Sequence, residues 1–222
     1  TVLPAELAPA ETLLEQLDPR TTRVGVVGFA GDGDPETYDA DVYAPLTTEY
    51  DKVRQALAQI RELGPQGRTN MMAAVRLATV EVMGSESAVS TPRSGAQRII
   101  LFLTDGKPTL PHEVSVHENR RLAVEAASKS ARLGVRIDTF AIGREALDDP
   151  LASIEMARAT QGIFTPVLAP HELQSVFEKV TFSEIQTLEV VNRSNGKPAA
   201  HLTRAADGSF SALVPLEARN KQ

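Results

Sequence analysis

The run Ile99-Ile-Leu-Phe-Leu103 constrains the fold more than any other stretch of the chain. An unbroken apolar run of this length reads as a strand buried on both faces, as in a parallel sheet with helices on each side. It stops abruptly at Thr104-Asp105-Gly106. An acid followed by glycine marks a tight turn at the strand's carboxyl end. In open α/β sheets that edge is where ligands bind. Asp105 is therefore a candidate site residue as well as a turn former.

The remaining elements take their places around this strand. Val24 to Phe29 and Val135 to Ile142 read as two further buried strands, and Gly162 to Val167 as a weaker one. Two glycines in the first suggest close approach of a neighbouring backbone. Asp41 to Leu46 reads as a short edge strand. Helical spacing appears in Ala5 to Leu17, with Pro9 inside it, and in the stretch carrying Tyr50, Val53, Leu57 and Ile60. Thr47 or Thr48 is the expected cap of the latter. Asn70 to Met83 is a third helix, with Met72, Val75, Thr79 and Val82 on one side. Glu118 to Leu133 is a fourth, with a face of Leu122, Ala126, Ser130 and Leu133 and with Ala123 and Ala127 beside it. Leu151 to Thr160 and Pro170 to Val180 complete the set, and Gly84 to Gln97 reads as an exposed loop.

This alternation predicts an α/β fold: a Rossmann-like, doubly wound, mostly parallel sheet over residues 1–182. From Ser183 the texture changes to short β segments around Ser194-Asn195-Gly196 and Asp207-Gly208, so residues 183–222 are expected to form part of a β-rich, sandwich-like module. The chain opens on a helix, whereas a crossover helix normally joins two parallel strands. A strand is thus expected before Thr1, lying between Val24–Phe29 and Ile99–Leu103.

Charge and composition exclude several classes. The net charge of −6 argues against a nucleic-acid or anionic-membrane surface. No apolar run is long enough to span a bilayer. The chain has no cysteine, so it has no disulfide framework and no thiolate metal site.

Two short motifs lie at strand–helix junctions: Gly67-Arg-Thr69-Asn70 before a helix, and Thr104-Asp105-Gly106 after the organising strand. Read locally, Thr69 is a helix cap and Asp105 a turn residue. With Leu17-Asp-Pro19, Arg23-Val-Gly-Val-Val-Gly-Phe29, Pro45-Leu-Thr47 and Val135-Arg-Ile-Asp-Thr-Phe-Ala-Ile-Gly143, the set resembles the von Willebrand factor A family over about Thr1 to Val180. In that family an Asp-x-Ser-x-Ser segment, a loop threonine and an aspartate after the fourth strand form a metal-ion-dependent adhesion site. The resemblance implies that Thr69 and Asp105 are metal ligands, expected close together at the carboxyl edge. It implies Mg²⁺, or Mn²⁺ or Ca²⁺, conditional on an Asp-x-Ser-x-Ser segment upstream of residue 1. Hydroxyls with few carboxylates suit a hard octahedral cation and leave it open to a partner's acid.

Asn70, Lys107, His112 and His117 are candidate partner contacts at the rim. The two histidines are five residues apart, which turns a helix by about 140° and takes them off one face. A zinc site is therefore disfavoured, and Pro111 beside His112 favours a loop. Gly31-Asp-Gly-Asp34 lacks the spacing of a calcium loop. No phosphate-binding loop and no local nucleophile–base set appears, so the chain is expected to be a binding module and not an enzyme. The expected function is metal-dependent recognition of a partner protein through an acidic side chain. The alternatives are a subunit coupling to an AAA+ or chelatase-like machine, and a metal-free scaffold. The trailing β module favours an extracytoplasmic setting.

Overall fold

The computed structural model describes residues 3–32, 34, 37–112, 115–177, 190–192, 195–204 and 210–214. The chain divides into two compact units, Thr1–Phe177 and Glu178–Gln222.

The first unit runs α1 (Leu3–Gln16), β1 (Val24–Phe29), β2 (Ala40–Thr47), α2 (Tyr50–Leu63), α3 (Met71–Met83), β3 (Arg98–Thr104), α4 (Val116–Arg132) and β4 (Val135–Ile142). It continues with α5 (Gly143–Asp148), α6 (Leu151–Ala159), β5 (Phe164–Val167) and α7 (Leu173–Phe177). β3, β4 and β5 form a parallel sheet in that order, with Arg98 opposite Val135 and Thr104 opposite Ala141. β4 is central and almost wholly buried, and its polar Asp138 and Thr139 are buried with it, the first accepting from the Ile163 amide and the second donating to the Ser153 carbonyl. Its side chains divide between two faces. Val135 and Ile137 join Ile100, Phe102, Ala123, Ala127 and Met156 in the main core under α3, α4 and α6. Phe140 turns the other way and meets Phe177 of α7 edge to face, with ring centroids 5.1 Å apart.

β1 and β2 pair antiparallel in a separate ladder, β2 at its edge. A Cβ on Gly25 would sit 3.0 Å from the Ala44 carbonyl oxygen, the close backbone approach that the glycine-containing strand suggests. Val24 and Val26 pack with Leu14, Tyr50, Val53 and Leu57 of α1 and α2. β1 and β3 do not hydrogen-bond to one another. Helix α3 packs on both, and Phe29 of β1 lies 5.1 Å from Phe102 of β3, centroid to centroid. The strands of this unit thus form two ladders with α3 packed on both, and β1 and β3 stand unpaired with one another, as expected of strands that do not neighbour directly.

Several local expectations shift. The cap of α2 is Glu49, without a side-chain bond, and Thr47 Oγ1 accepts from the Glu49 amide at 3.0 Å. The buried face of α4 is centred on Ala123 and Ala127, while Leu133 is 50% exposed. The loop after α3 is not wholly exposed, because Ser90 is buried. Residues 178–180, at the end of the expected last helix, lie outside the described residues.

In the second unit β6 (Ala200–Arg204) and β7 (Phe210–Leu213) pair antiparallel. A tight turn precedes them: Gly196 N donates to Asn192 O at 2.8 Å, and Asn192 N to Lys197 O at 2.9 Å. The expected turn at Asp207-Gly208 lies outside the described residues.

Candidate functional site

The site begins where β3 ends. Thr104 is buried, and its hydroxyl donates to the Gly106 carbonyl at 3.1 Å, folding Thr104-Asp105-Gly106 into a tight turn. Asp105 projects from that turn exposed, and no hydrogen bond to its carboxylate is made among the described residues. The Gly67–Asn70 loop is laced to the segment that follows. The Thr69 carbonyl accepts from the amides of Thr109 at 3.0 Å and Leu110 at 3.2 Å. The Thr69 amide donates to Thr109 Oγ1 at 3.0 Å. Every main-chain polar group of Thr69 is thereby engaged. Its hydroxyl faces the turn: a Cβ on Gly106 would lie 3.4 Å from Thr69 Oγ1. The structure brings Thr69 to the turn that carries Asp105, at the carboxyl end of β3, with both side chains uncommitted among the described residues.

Thr69 does not cap α3. That role belongs to Asn70, whose Oδ1 accepts from Ala73 N at 3.1 Å. Asn70 is 3% exposed, and its Nδ2 donates to Asp39 Oδ2 at 2.6 Å. Both ends of the amide are used, so the expectation of Asn70 as a rim contact is corrected: it is an internal tie. Lys107 is half-buried, two residues beyond Asp105. His112 is an exposed loop residue whose amide donates to Asn119 Oδ1 at 2.8 Å. His117 is exposed on the first turn of α4, with Nδ1 3.0 Å from Arg120 Nη2. Among the described residues no three His, Asp or Glu side chains come together as a metal cluster, so nothing supports zinc at the histidines.

A third participant is the β1–β2 loop, whose acids lack the spacing of a calcium loop in sequence but reach the Thr69 loop in the fold. Arg68 donates from its amide to the Gly31 carbonyl at 2.6 Å and from its guanidinium to the Asp32 carbonyl at 2.6 Å. Gly67 has φ of 54°, and a Cβ there would overlap the Gly31 carbonyl oxygen. Asp32 accepts from the Asp34 amide and the Thr37 hydroxyl, both at 2.8 Å, and these bonds hold its carboxyl below the ordinary aspartate range. Asp39, at the far end of the loop, holds Asn70. Its partner lies 31 residues away, and nothing local marks it.

Thr69 and Asp105 supply hard oxygen donors, the type that Mg²⁺ takes in preference to nitrogen or sulfur. They fit such an ion in kind. Two side chains fill only part of an octahedral shell, and water and acidic oxygens from elsewhere suit the rest.

Comparisons with known proteins agree with the fold. The von Willebrand factor type A domain profile matches residues 7–188. No curated protein matches the chain. Among solved structures, BatB from Bacteroides thetaiotaomicron is similar at 23% identity, over 79% of this chain and 85% of that one, with a TM-score of 0.57. The pilus adhesin SpaC from Lactobacillus rhamnosus GG is similar at 12% identity, over 79% of this chain and 27% of that one, with a TM-score of 0.61. The SpRpn10 VWA domain matches at 14% identity, over 80% of this chain and 82% of that one, with a TM-score of 0.54. By the profile match over most of its length, and with an α/β fold of the same type, the chain belongs to the von Willebrand factor type A family.

Proposed function

We propose that the chain is a protein-binding module that captures its partner at the Thr69–Asp105 edge with the help of Mg²⁺. The observation that carries this reading is the Thr69 hydroxyl turned toward the Asp105–Gly106 turn while its main chain is tied off on both sides. Such tying fixes the oxygen's position before any ligand arrives, which lowers the ordering cost of binding. When bound, the ion would supply a Lewis-acidic position for a partner's carboxylate. Thr69 would hold the ion by its hydroxyl, and Asp105 would offset part of its charge. The exposed His112 and His117 and the half-buried Lys107 flank this edge in sequence and suit polar contacts with the partner. No helix among the described residues is long and apolar enough to cross a membrane. We place the module outside the cytoplasm, and we assign it no catalytic role.

Calorimetric titration of the full-length protein with Mg²⁺ tests the reading. Wild type should release heat, and Thr69→Ala and Asp105→Ala should each weaken binding by about tenfold or more, as loss of a direct ligand does at minimum. Both variants should keep the wild-type melting temperature within a few degrees, since neither side chain is in the core. No heat from the wild type would leave a metal-free scaffold as the better reading.

A further inference from the structure

Among the described residues Asp39 stands apart from the other acids. Its Oδ2 accepts from Asn70 Nδ2 at 2.6 Å. Its Oδ1 is buried and has no hydrogen-bond donor among the described residues. The surroundings of that oxygen are the Gly31 backbone, which it approaches so closely that a Cβ there would overlap it, and the Leu110 side chain near the same point. Leu110 is 1% exposed, and its amide is one of the two that hold the Thr69 carbonyl. The half-satisfied carboxylate therefore lies just inside the Thr69 loop.

A carboxylate oxygen removed from water without a donor is unfavourable for the fold by itself. An asparagine at this position would still offer Asn70 an acceptor, without the charge. A cation nearby would favour that oxygen directly, because Coulombic attraction is strong where water is excluded. Groups behind the direct ligands commonly orient them and tune the ion in this way.

We propose that Asp39 is a positioning residue for the cation at the Thr69–Asp105 edge. It fixes Asn70, and with it the adjacent Thr69, and its carboxylate, with one oxygen lacking a donor among the described residues, favours the bound ion over the empty edge. This rests on the metal-assisted reading above. It adds a residue 30 positions before Thr69 that does not itself touch the ion.

The test uses full-length protein, Mg²⁺ alone as the probe, and thermal melts in EDTA. Asp39→Asn should weaken the Mg²⁺ dissociation constant by about tenfold, while the melting temperature in EDTA stays level or rises. That split is one that a merely structural strut does not give. Asp39→Ala also loses the grip on Asn70, and should lower both affinity and melting temperature. The exchanged pair Asp39→Asn with Asn70→Asp keeps the hydrogen bond and the charge, and should recover most of the affinity. A lowered melt for Asp39→Asn with wild-type affinity would overturn the assignment of Asp39 alone, as would an exchanged pair that recovers stability and not affinity. No heat with the wild type would overturn the metal reading and this inference together.

Discussion

Gly67 sits where the two loops of the candidate edge touch, and its φ of 54° puts it in the left-handed region. For any other residue that backbone costs about 1–2 kcal/mol. A side chain there would also displace the Gly31 carbonyl, which accepts the Arg68 amide. Gly67→Ala should therefore lower stability by more than Gly134→Ala, where φ is 74° and nothing lies within 4 Å. Equal losses in parallel urea melts would show that the approach of the loops contributes nothing. Asp32 gives a pH-dependent counterpart. Its folded pKa lies below the ordinary aspartate value, held there by the Asp34 amide and then the Thr37 hydroxyl. A carboxyl depressed on folding stabilises fully above its unfolded pKa, and that contribution disappears as pH falls through the lower folded value. The bonds to Asp32 should thus persist until pH falls below the ordinary aspartate value. A carbon-13 titration of the Asp32 carboxyl should have its midpoint below that value. A midpoint at or above it would mean that the two bonds do not persist in solution.

Helix α3 is fastened at both ends, and each fastening reaches another element. At its start Asn70 ties it to Asp39. Near its end Glu81, 6% exposed, accepts from Val89 N at 2.9 Å, from Ser90 N at 3.0 Å and from Ser90 Oγ at 2.5 Å. Ser90 Oγ in turn accepts from Leu46 N of β2 at 2.8 Å. Glu81→Ala strands buried donors, and should cost about 3 kcal/mol by the usual value of charged hydrogen bonds. A loss under about 1 kcal/mol in denaturant melts would mean that water replaces the carboxylate freely. Glu81 was not legible in the sequence, because an acid within a helix followed by a serine- and glycine-rich loop reads as solvated. The face of α4 was misplaced for a related reason. Large Leu122 and Leu133 draw the eye, but the helix lies close against α3, α6 and β4, and the small Ala123, Ala126, Ala127 and Ser130 are the side chains buried there. The apolar run of β3 was legible, since a strand covered on both faces favours unbroken apolar sequence, and β4 was legible despite the buried Asp138 and Thr139 within it. Thr69 and Asp105 were legible as candidates through the family resemblance, although Thr69 stands in the loop between α2 and α3 and only Asp105 follows a strand. Asp39 was not, since its role comes from a contact that only the folded chain makes.

At the scale of the molecule, every residue of the proposed site belongs to the unit Thr1–Phe177. A chain ending at residue 188, where the family match ends, should keep its Mg²⁺ affinity within roughly twofold, as expected for independent parts. A larger loss in calorimetry would show that the β6–β7 unit contributes to the edge. The loop from Gly84 to Gln97 offers a practical use of this geometry. The Glu81–Ser90 bonds hold its middle, but Ser94 is exposed and a Cβ on Gly95 would meet open space. This tip precedes Arg98, the start of β3, whose far end leads to Asp105 about 23 Å away at strand spacing. The native sequence has no cysteine. A Ser94→Cys variant would thus carry a single thiol, and a bead or dye coupled to it would hang from the opposite end of the strand. The protein could then be immobilised in one defined orientation, with the Thr69–Asp105 edge facing free solution.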